Sequence, residues 1–175
     1  MDKLVLFFSI ILIVSCSNSK NIDNKPVNNI KNTKDSINLL LNNWHKAATD
    51  ADYNAYFSRM DSTSVFIGTD ASENWTIKEF QTFSKPYFDK GKAWDFKTLE
   101  RNIYINKSGN FAWFDELLNT WMGTCRGSGV LEKNKNKWKI KHYVLSVPVP
   151  NEDINAIIAV KKKNDSLFLN KFKND

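Results

Sequence analysis

From Trp94 to Val147 the chain reads WDFKTLERNIYINKSGNFAWFDELLNTWMGTCRGSGVLEKNKNKWKIKHYVLSV. Aromatic and branched residues fill Trp94 to Asn106, the turn-forming Lys107-Ser108-Gly109-Asn110 interrupts them, and Phe111 to Met122 runs back, which is the pattern of a β-hairpin. Gly127 to Glu132 and Trp138 to Val147 make a second hairpin around Lys133 to Lys137. With Ser108-Gly109 at the centre of the first turn, Tyr104 pairs with Trp113, Asn102 with Asp115 and Arg101 with Glu116. Alternation then assigns faces: Trp138, Ile140, His142, Val144 and Ser146 share one side of the last strand, opposite Lys139, Lys141 and Tyr143, and the first set is expected to point inward.

Upstream of the strands the period changes to that of a helix. Ile37, Leu40, Leu41, Trp44, Ala47 and Ala48 form an apolar stripe from Asp35 onward, with Asn38, Asn42, Asn43 and Lys46 outside it. Asp50 or Asp52 can cap a second short helix carrying Tyr53, Tyr56, Phe57 and Met60. Val65-Phe66-Ile67 reads as a short strand that Gly68 ends. Thr76 with Glu79 is a capping box for a third helix, in which Pro86 sits late and which Gly91 stops. After Pro150, Asn151 can cap a helix with Ile154, Ile157 and Ile158, and from Lys161 a weakly ordered tail is expected. Helices first and hairpins afterwards make an α+β plan, with a strongly curved antiparallel sheet wrapped around the longest helix.

The first residues set a different kind of expectation. Leu4 to Val14 is an unbroken apolar run after Lys3, about half the length a membrane-spanning helix needs, and it closes on Ile13-Val14-Ser15-Cys16. This is the pattern of a bacterial lipoprotein signal. The boundaries that follow are a signal peptide at 1–15, a polar disordered tether at 16–33, a globular domain at 34–150 and a C-terminal helix with tail at 151–175. Lipidation of Cys16 would anchor the chain to a membrane of the bacterial cell envelope, facing the periplasm or the surface.

The formal charge of +6 would ordinarily raise nucleic acid as a partner. An exported chain whose lysines are scattered, with Lys161-Lys162-Lys163 the one block, argues against it. Cys125 is left alone once Cys16 is lipidated, so it is expected as a small buried filler. Two histidines, His45 and His142, lack the spacing of a zinc site, and no glycine-rich loop joins a strand to a helix. Neither metal nor nucleotide cofactor is implied.

Four segments, taken in order, resemble successive motifs of the SnoaL-like domains of the nuclear-transport-factor-2-like superfamily. They are Gly68-Thr69-Asp70-Ala71-Ser72-Glu73-Asn74-Trp75, Ala112-Trp113-Phe114-Asp115-Glu116, Arg126-Gly127-Ser128-Gly129-Val130-Leu131 and Trp138-Lys139-Ile140-Lys141-His142-Tyr143. The resemblance covers about Asp35 to Pro150 and implies a cone-shaped fold whose sheet closes over helices to leave a cavity. Relatives include cyclases, isomerases, dehydratases, ligand-binding domains and dimerising modules, so the fold alone selects no function.

Within that cone, Gly127 and Gly129 facing inward polar residues would leave room. Pairing Lys133 with Trp138 puts Gly129 opposite His142 and Gly127 opposite Val144, as a cavity wall requires. Asp115, on the face of Trp113, is the carboxylate expected inside, with Glu116 and Arg101 as an exposed ion pair. Asp115 and His142 are then candidates for base and orienter in proton transfer. Trp44, Tyr56, Trp75, Trp113, Arg126 and Ser146 are the candidate ligand-binding residues. Glu73, before Trp75, is expected in a mostly structural role. The leading expectation is non-catalytic binding of a small apolar molecule; the alternatives are a proton-transfer enzyme and a homodimer formed through the exposed sheet face.

Overall fold

The computed structural model describes residues 25–173; the expected signal peptide, Cys16 and the first half of the tether lie outside them. The first helix, α1, spans Lys25–Thr49, ten residues longer at its start than the apolar stripe. Pro26 sits in the first turn, where its missing N–H is harmless. Within the added turns Ile30 is 53 % exposed, whereas Ile37, Leu41, Trp44 and Ala48 further along are buried. No helix among the described residues is long and apolar enough to cross a membrane.

Asp52 caps α2 (Tyr53–Phe57) by accepting from Ala55 N. Strand β1 (Met60–Ile67) and the short β2 (Asn74–Thr76) follow. Thr76 and Glu79 form the capping box of α3 (Ile77–Asp89), which accommodates Pro86 in its last turn and a half. Gly91, at φ +67°, adopts the left-handed conformation that lets the chain leave the helix.

The hairpin strands are β3 (Lys97–Ile105), β4 (Phe111–Thr120), β5 (Gly123–Asn134) and β6 (Lys137–Ser146). They belong to one six-stranded sheet in the order β2-β1-β6-β5-β4-β3. All neighbours are antiparallel except β1 and β6, which run parallel. Trp94, expected at the start of β3, instead packs edge-on against Tyr56 and Phe88 ahead of it.

Pairing in the first hairpin is as the turn dictates, with Tyr104 opposite Trp113, Asn102 opposite Asp115 and Arg101 opposite Glu116. The second hairpin begins as expected, Lys133 opposite Trp138, and then shifts by one residue between Val130 and Leu131. Lys141 is the extra residue. Its ammonium reaches β1, 3.0 Å from Asp61 Oδ1, where four residues separate the pairs Met60–Ile140 and Val65–His142. Because side chains alternate with period two, this bulge exchanges the faces of everything after Ile140. Trp138 and Ile140 face inward, but Tyr143 and Leu145 replace His142, Val144 and Ser146 on that side.

After the single turn Asn151–Asp153, α4 runs from Ile154 to Leu169 and ends in a further turn at Asn170–Phe172. It extends well past Lys161, where a weakly ordered tail was expected. Lys161 and Asp165 pair at i,i+4, and Ser166 Oγ donates to Lys162 O within the same helix.

Candidate functional site

Along β4 the side chains of Ala112, Phe114, Glu116 and Leu118 are buried, and those between them are not. The carboxylate inside the cone is therefore Glu116, and Asp115 lies on the outer face, where it accepts from Asn102 Nδ2. This reverses the expected exposed Arg101–Glu116 pair and inward Asp115. The physical reason is the number of donors available: a carboxylate is tolerated in a core when cations and hydrogen bonds satisfy it. Glu116 Oε1 accepts from His45 Nε2 at 2.9 Å and from Tyr143 Oη at 2.9 Å. Its Oε2 accepts from Arg101 Nε at 2.9 Å and Nη2 at 2.7 Å.

Arg101 is in turn held by Asn42 Oδ1 at 2.8 Å, Asn38 Oδ1 at 3.2 Å and Thr98 Oγ1 at 3.0 Å. Burial pushes the Glu116 carboxyl up, but the hydrogen bonds and charges of His45 and Arg101 outweigh it and hold its pKa below the ordinary value. Burial raises the Tyr143 phenol well above its usual range, with the Glu116 carboxylate adding to the effect. The network is thus a carboxylate kept ionised beside a phenol kept protonated. His45 was not singled out from the sequence. A signal was present: Asn38, Asn42, His45 and Thr49 recur at i, i+4, i+7 and i+11 beside the apolar stripe of α1.

The interior around this network is filled. Trp44 stacks on Tyr56 with ring centroids 5.0 Å apart and meets Tyr143 edge-on at 4.8 Å. Phe66 stacks on Phe80 at 4.0 Å. Gly127 and Gly129 point inward, but neither borders a hollow. A Cβ on Gly127 would lie 2.1 Å from the Tyr143 hydroxyl, and one on Gly129 2.7 Å from the Phe114 ring. The glycines admit these rings and not a ligand. Trp44 Nε1, which is buried, has no hydrogen-bond partner among the described residues, and the buried Tyr56 hydroxyl has the Trp94 indole beside it.

The remaining expected site residues are dispersed. Trp44 and Tyr56 are sealed in the core. Trp75 is half-buried and stacked on Phe83 at 4.4 Å, lining a separate surface cleft with Lys78 and Thr82. Trp113, 46 % exposed, stacks on Tyr104 outside the sheet. Arg126 and Ser146 are exposed on that outer face, joined by a bond from Ser146 Oγ to the Arg126 carbonyl. His142 and Asp115 share the outer face, but β5 lies between their strands and His142 stands in line with Trp113 and not with Asp115, which sets them more than about 10 Å apart. They cannot form a base and orienter pair. Glu73 closes the turn after β1, its carbonyl accepting from Gly68 N. Cys125 is a buried free thiol.

Accessible space lies instead at the open end of the cone. A cleft of about 520 Å³ is lined by Thr49 at the end of α1, Gly91 to Asp95 and Lys97 ahead of and on β3, and Asn119 to Trp121 at the β4–β5 turn. Trp121 is 82 % exposed at its rim. Trp94 supplies a second indole, while Lys92, Lys97, Asp95, Asn119 and Thr120 supply polar groups. Thr49 Oγ1 donates to Asp95 Oδ1 at 3.1 Å, tying the helix end to the loop. The cleft therefore offers aromatic surface and hydrogen bonding, and neither Glu116 nor His45 or Tyr143 is among the residues that line it.

Helices held in the curve of a six-stranded sheet define the nuclear-transport-factor-2-like class. Residues 37–150 match the SnoaL-like domain, and the chain belongs to that family. A search of curated protein sequences finds no match. Among solved structures, a nuclear-transport-factor-2-like protein of unknown function from Pseudomonas putida superposes with TM-score 0.59 at 13 % identity, covering 70 % of this chain and 91 % of that one. One from Cytophaga hutchinsonii gives 0.56 at 15 % identity, covering 66 % and 98 %. The association domain of C. elegans CaMKII gives 0.55 at 20 % identity, covering 67 % and 97 %. At these identities the likeness concerns the fold, one used for ligand-binding, isomerase-type and association domains.

Proposed function

We propose that the SnoaL-like domain is a non-catalytic binding module that takes a flat, partly apolar small molecule at the open end of the cone, between Trp94 and Trp121. One contrast carries this reading. The accessible cleft has indoles and scattered polar groups, whereas the groups with chemistry, Glu116, His45 and Tyr143, bond one another out of reach of solvent. A base already accepting four hydrogen bonds has no free lone pair for a substrate proton. Lys92 and Lys97 favour a ligand that carries an acidic edge. The test is a titration with 1-anilinonaphthalene-8-sulfonate, a flat aromatic anion. Trp121→Ala should weaken its binding by about tenfold, the effect of one well-placed aromatic contact; unchanged binding would remove the cleft from consideration.

The same reading places the module on the bacterial envelope, tethered through a lipidated Cys16. Its support is the apolar run Leu4 to Val14 followed by Ser15-Cys16. Mass spectrometry of the N-terminal peptide should find an acylated Cys16, and Cys16→Ser should release the protein from membranes; an intact leader on the purified protein would contradict it.

A second reading, homodimeric association through the outer sheet face, is favoured by the exposed Tyr104–Trp113 stack, with ring centroids 5.7 Å apart. The similarity to an association domain points the same way.

A further inference from the structure

The two ends of the sheet differ in charge. Strands β4 and β5 join beside the cleft, at Asn119 to Trp121. The β3–β4 and β5–β6 turns therefore lie at the other end, about 30 Å away along strands of this length. These two turns are neighbours, with Lys133 N donating to Asn110 O at 2.8 Å. Helix α1 runs between the two ends. Its last residue, Thr49, lines the cleft, whereas Ser36, Leu39 and Leu40 share a surface groove with Asn136, Lys137 and Lys139 of the β5–β6 hairpin. The helix thus starts at the end opposite the cleft.

That end is basic. Lys31 and Lys34 of α1, Lys107 of the β3–β4 turn, and Lys135 and Lys137 at the tip of the β5–β6 hairpin are all exposed. None of the five is in an ion pair among the described residues. Nearby carboxylates do not balance them: Glu132 lies 3.6 Å from Lys141 instead, and Asp35 brings a single charge on α1. At the cleft end the charges are mixed, Lys46 pairing with Asp50 and Asp95 lining the cleft with Lys92 and Lys97. Local folding does not call for the hairpin lysines. Lys135 stands at φ +47° and Asn136 at φ +64°, the left-handed pair of a two-residue turn that asparagine and glycine fit most easily. Unpaired lysines gathered there repel one another, and an anionic surface relieves that repulsion.

We infer that this basic end docks on a bilayer of anionic phospholipid headgroups and holds the domain with the Trp94–Trp121 cleft facing away from the membrane. The inference rests on the envelope reading above and adds the orientation of the domain. The anchor position selects a bilayer over another polyanion. Cys16 stands nine positions ahead of Lys25, where α1 starts, a reach of at most about 30 Å. A lipidated Cys16 therefore keeps the start of α1, and the lysines beside it, nearest the headgroups. Each lysine within a Debye length of an anionic surface strengthens attachment about fivefold. Several acting together on a tethered domain fix which end meets the membrane, and the ligand then enters from the aqueous side.

The experiment is lysine footprinting of the full chain on vesicles, by acetylation with a water-soluble reagent and mass spectrometry. Vesicles of equal parts phosphatidylglycerol and phosphatidylcholine are compared with vesicles of phosphatidylcholine alone, at low and high salt. Acetylation of Lys107, Lys135 and Lys137 should slow about fivefold or more on the anionic vesicles, with Lys92 and Lys97 unchanged, and high salt should remove the difference. Lys135→Gln with Lys137→Gln, both at exposed positions, should reduce the protection of Lys107 while near-ultraviolet circular dichroism stays that of the wild type. Equal rates on both kinds of vesicle would overturn the inference, and so would equal slowing at the cleft lysines or a double variant protected like the wild type. Flotation with the neutral vesicles reads the anchor separately. A chain that floats with them but gains no protection from phosphatidylglycerol keeps the Cys16 anchor and loses the basic end. A chain that does not float with them loses the anchor, and its footprint on the anionic vesicles still decides the basic end.

Discussion

Glu116 keeps its charge where no water reaches it, and the four donors around it make it the most consequential single side chain in the domain. Replacing it by Gln leaves Arg101 buried without a counter-charge, which should cost about 3–5 kcal/mol in urea unfolding at pH 7. Its pKa lies lower in the folded than in the unfolded chain. Its stabilising contribution is therefore complete above the ordinary carboxylate pKa and is lost as pH falls through that value toward the folded one. Unfolding free energies measured between pH 6 and 3 should fall more steeply for wild type than for Glu116→Gln; parallel curves would deny the carboxylate its role. Two tyrosines give the complementary test. Tyr143→Phe removes a hydrogen bond to a charged acceptor and should destabilise by about 1.5–3 kcal/mol, whereas Tyr56→Phe removes a buried hydroxyl with no charged partner, only the Trp94 indole beside it, and should cost less. Gly127→Ala should cost roughly 1–3 kcal/mol by driving a methyl into the Tyr143 hydroxyl. The Arg101–Glu116 pairing was legible in the sequence because the turn counts residues. Which face it takes was not, since that depends on donors from α1, such as His45, that no strand pattern reveals.

At the scale of elements, local chemistry was readable wherever it is self-contained. The Thr76–Glu79 capping box, the Asp52 cap and the Gly91 exit follow from side chains a few residues apart. Thr76→Ala should cost about 1 kcal/mol, measured by thermal or urea unfolding. The β6 strand fails the same test for a definite reason. Alternation predicts faces only while pairing stays in step, and the bulge at Lys141 depends on Asp61 across the sheet. The Asp61 carboxyl is drawn down to about 2, chiefly by the Thr63 backbone N–H and the Lys141 ammonium. His142, Val144 and Ser146 turn outward because of that one residue. The glycines mislead similarly: Gly127 and Gly129 mark close approach of rings already present, not space for a guest.

For the whole molecule, the order of elements was sufficient to predict an α+β cone, and helix-then-hairpin succession leaves few other ways to bury both a helix stripe and a curved sheet. The interior of that cone was expected hollow and is packed with Trp44, Tyr56, Phe80 and Tyr143. Sequence composition supplies aromatic residues but not their placement, so six tryptophans suit a lined cavity and a filled core equally well. Accessible space is found at the rim, where Trp121 and Trp94 line a cleft, and the proposed ligand is expected there. The most direct test follows the indole N–H resonances of the chain, labelled with nitrogen-15 at tryptophan, during titration with 1-anilinonaphthalene-8-sulfonate. The Trp121 and Trp94 signals should move while Trp44 stays fixed; a shift at Trp44 with Trp121 unmoved would show that the guest enters the cone and would contradict a sealed interior.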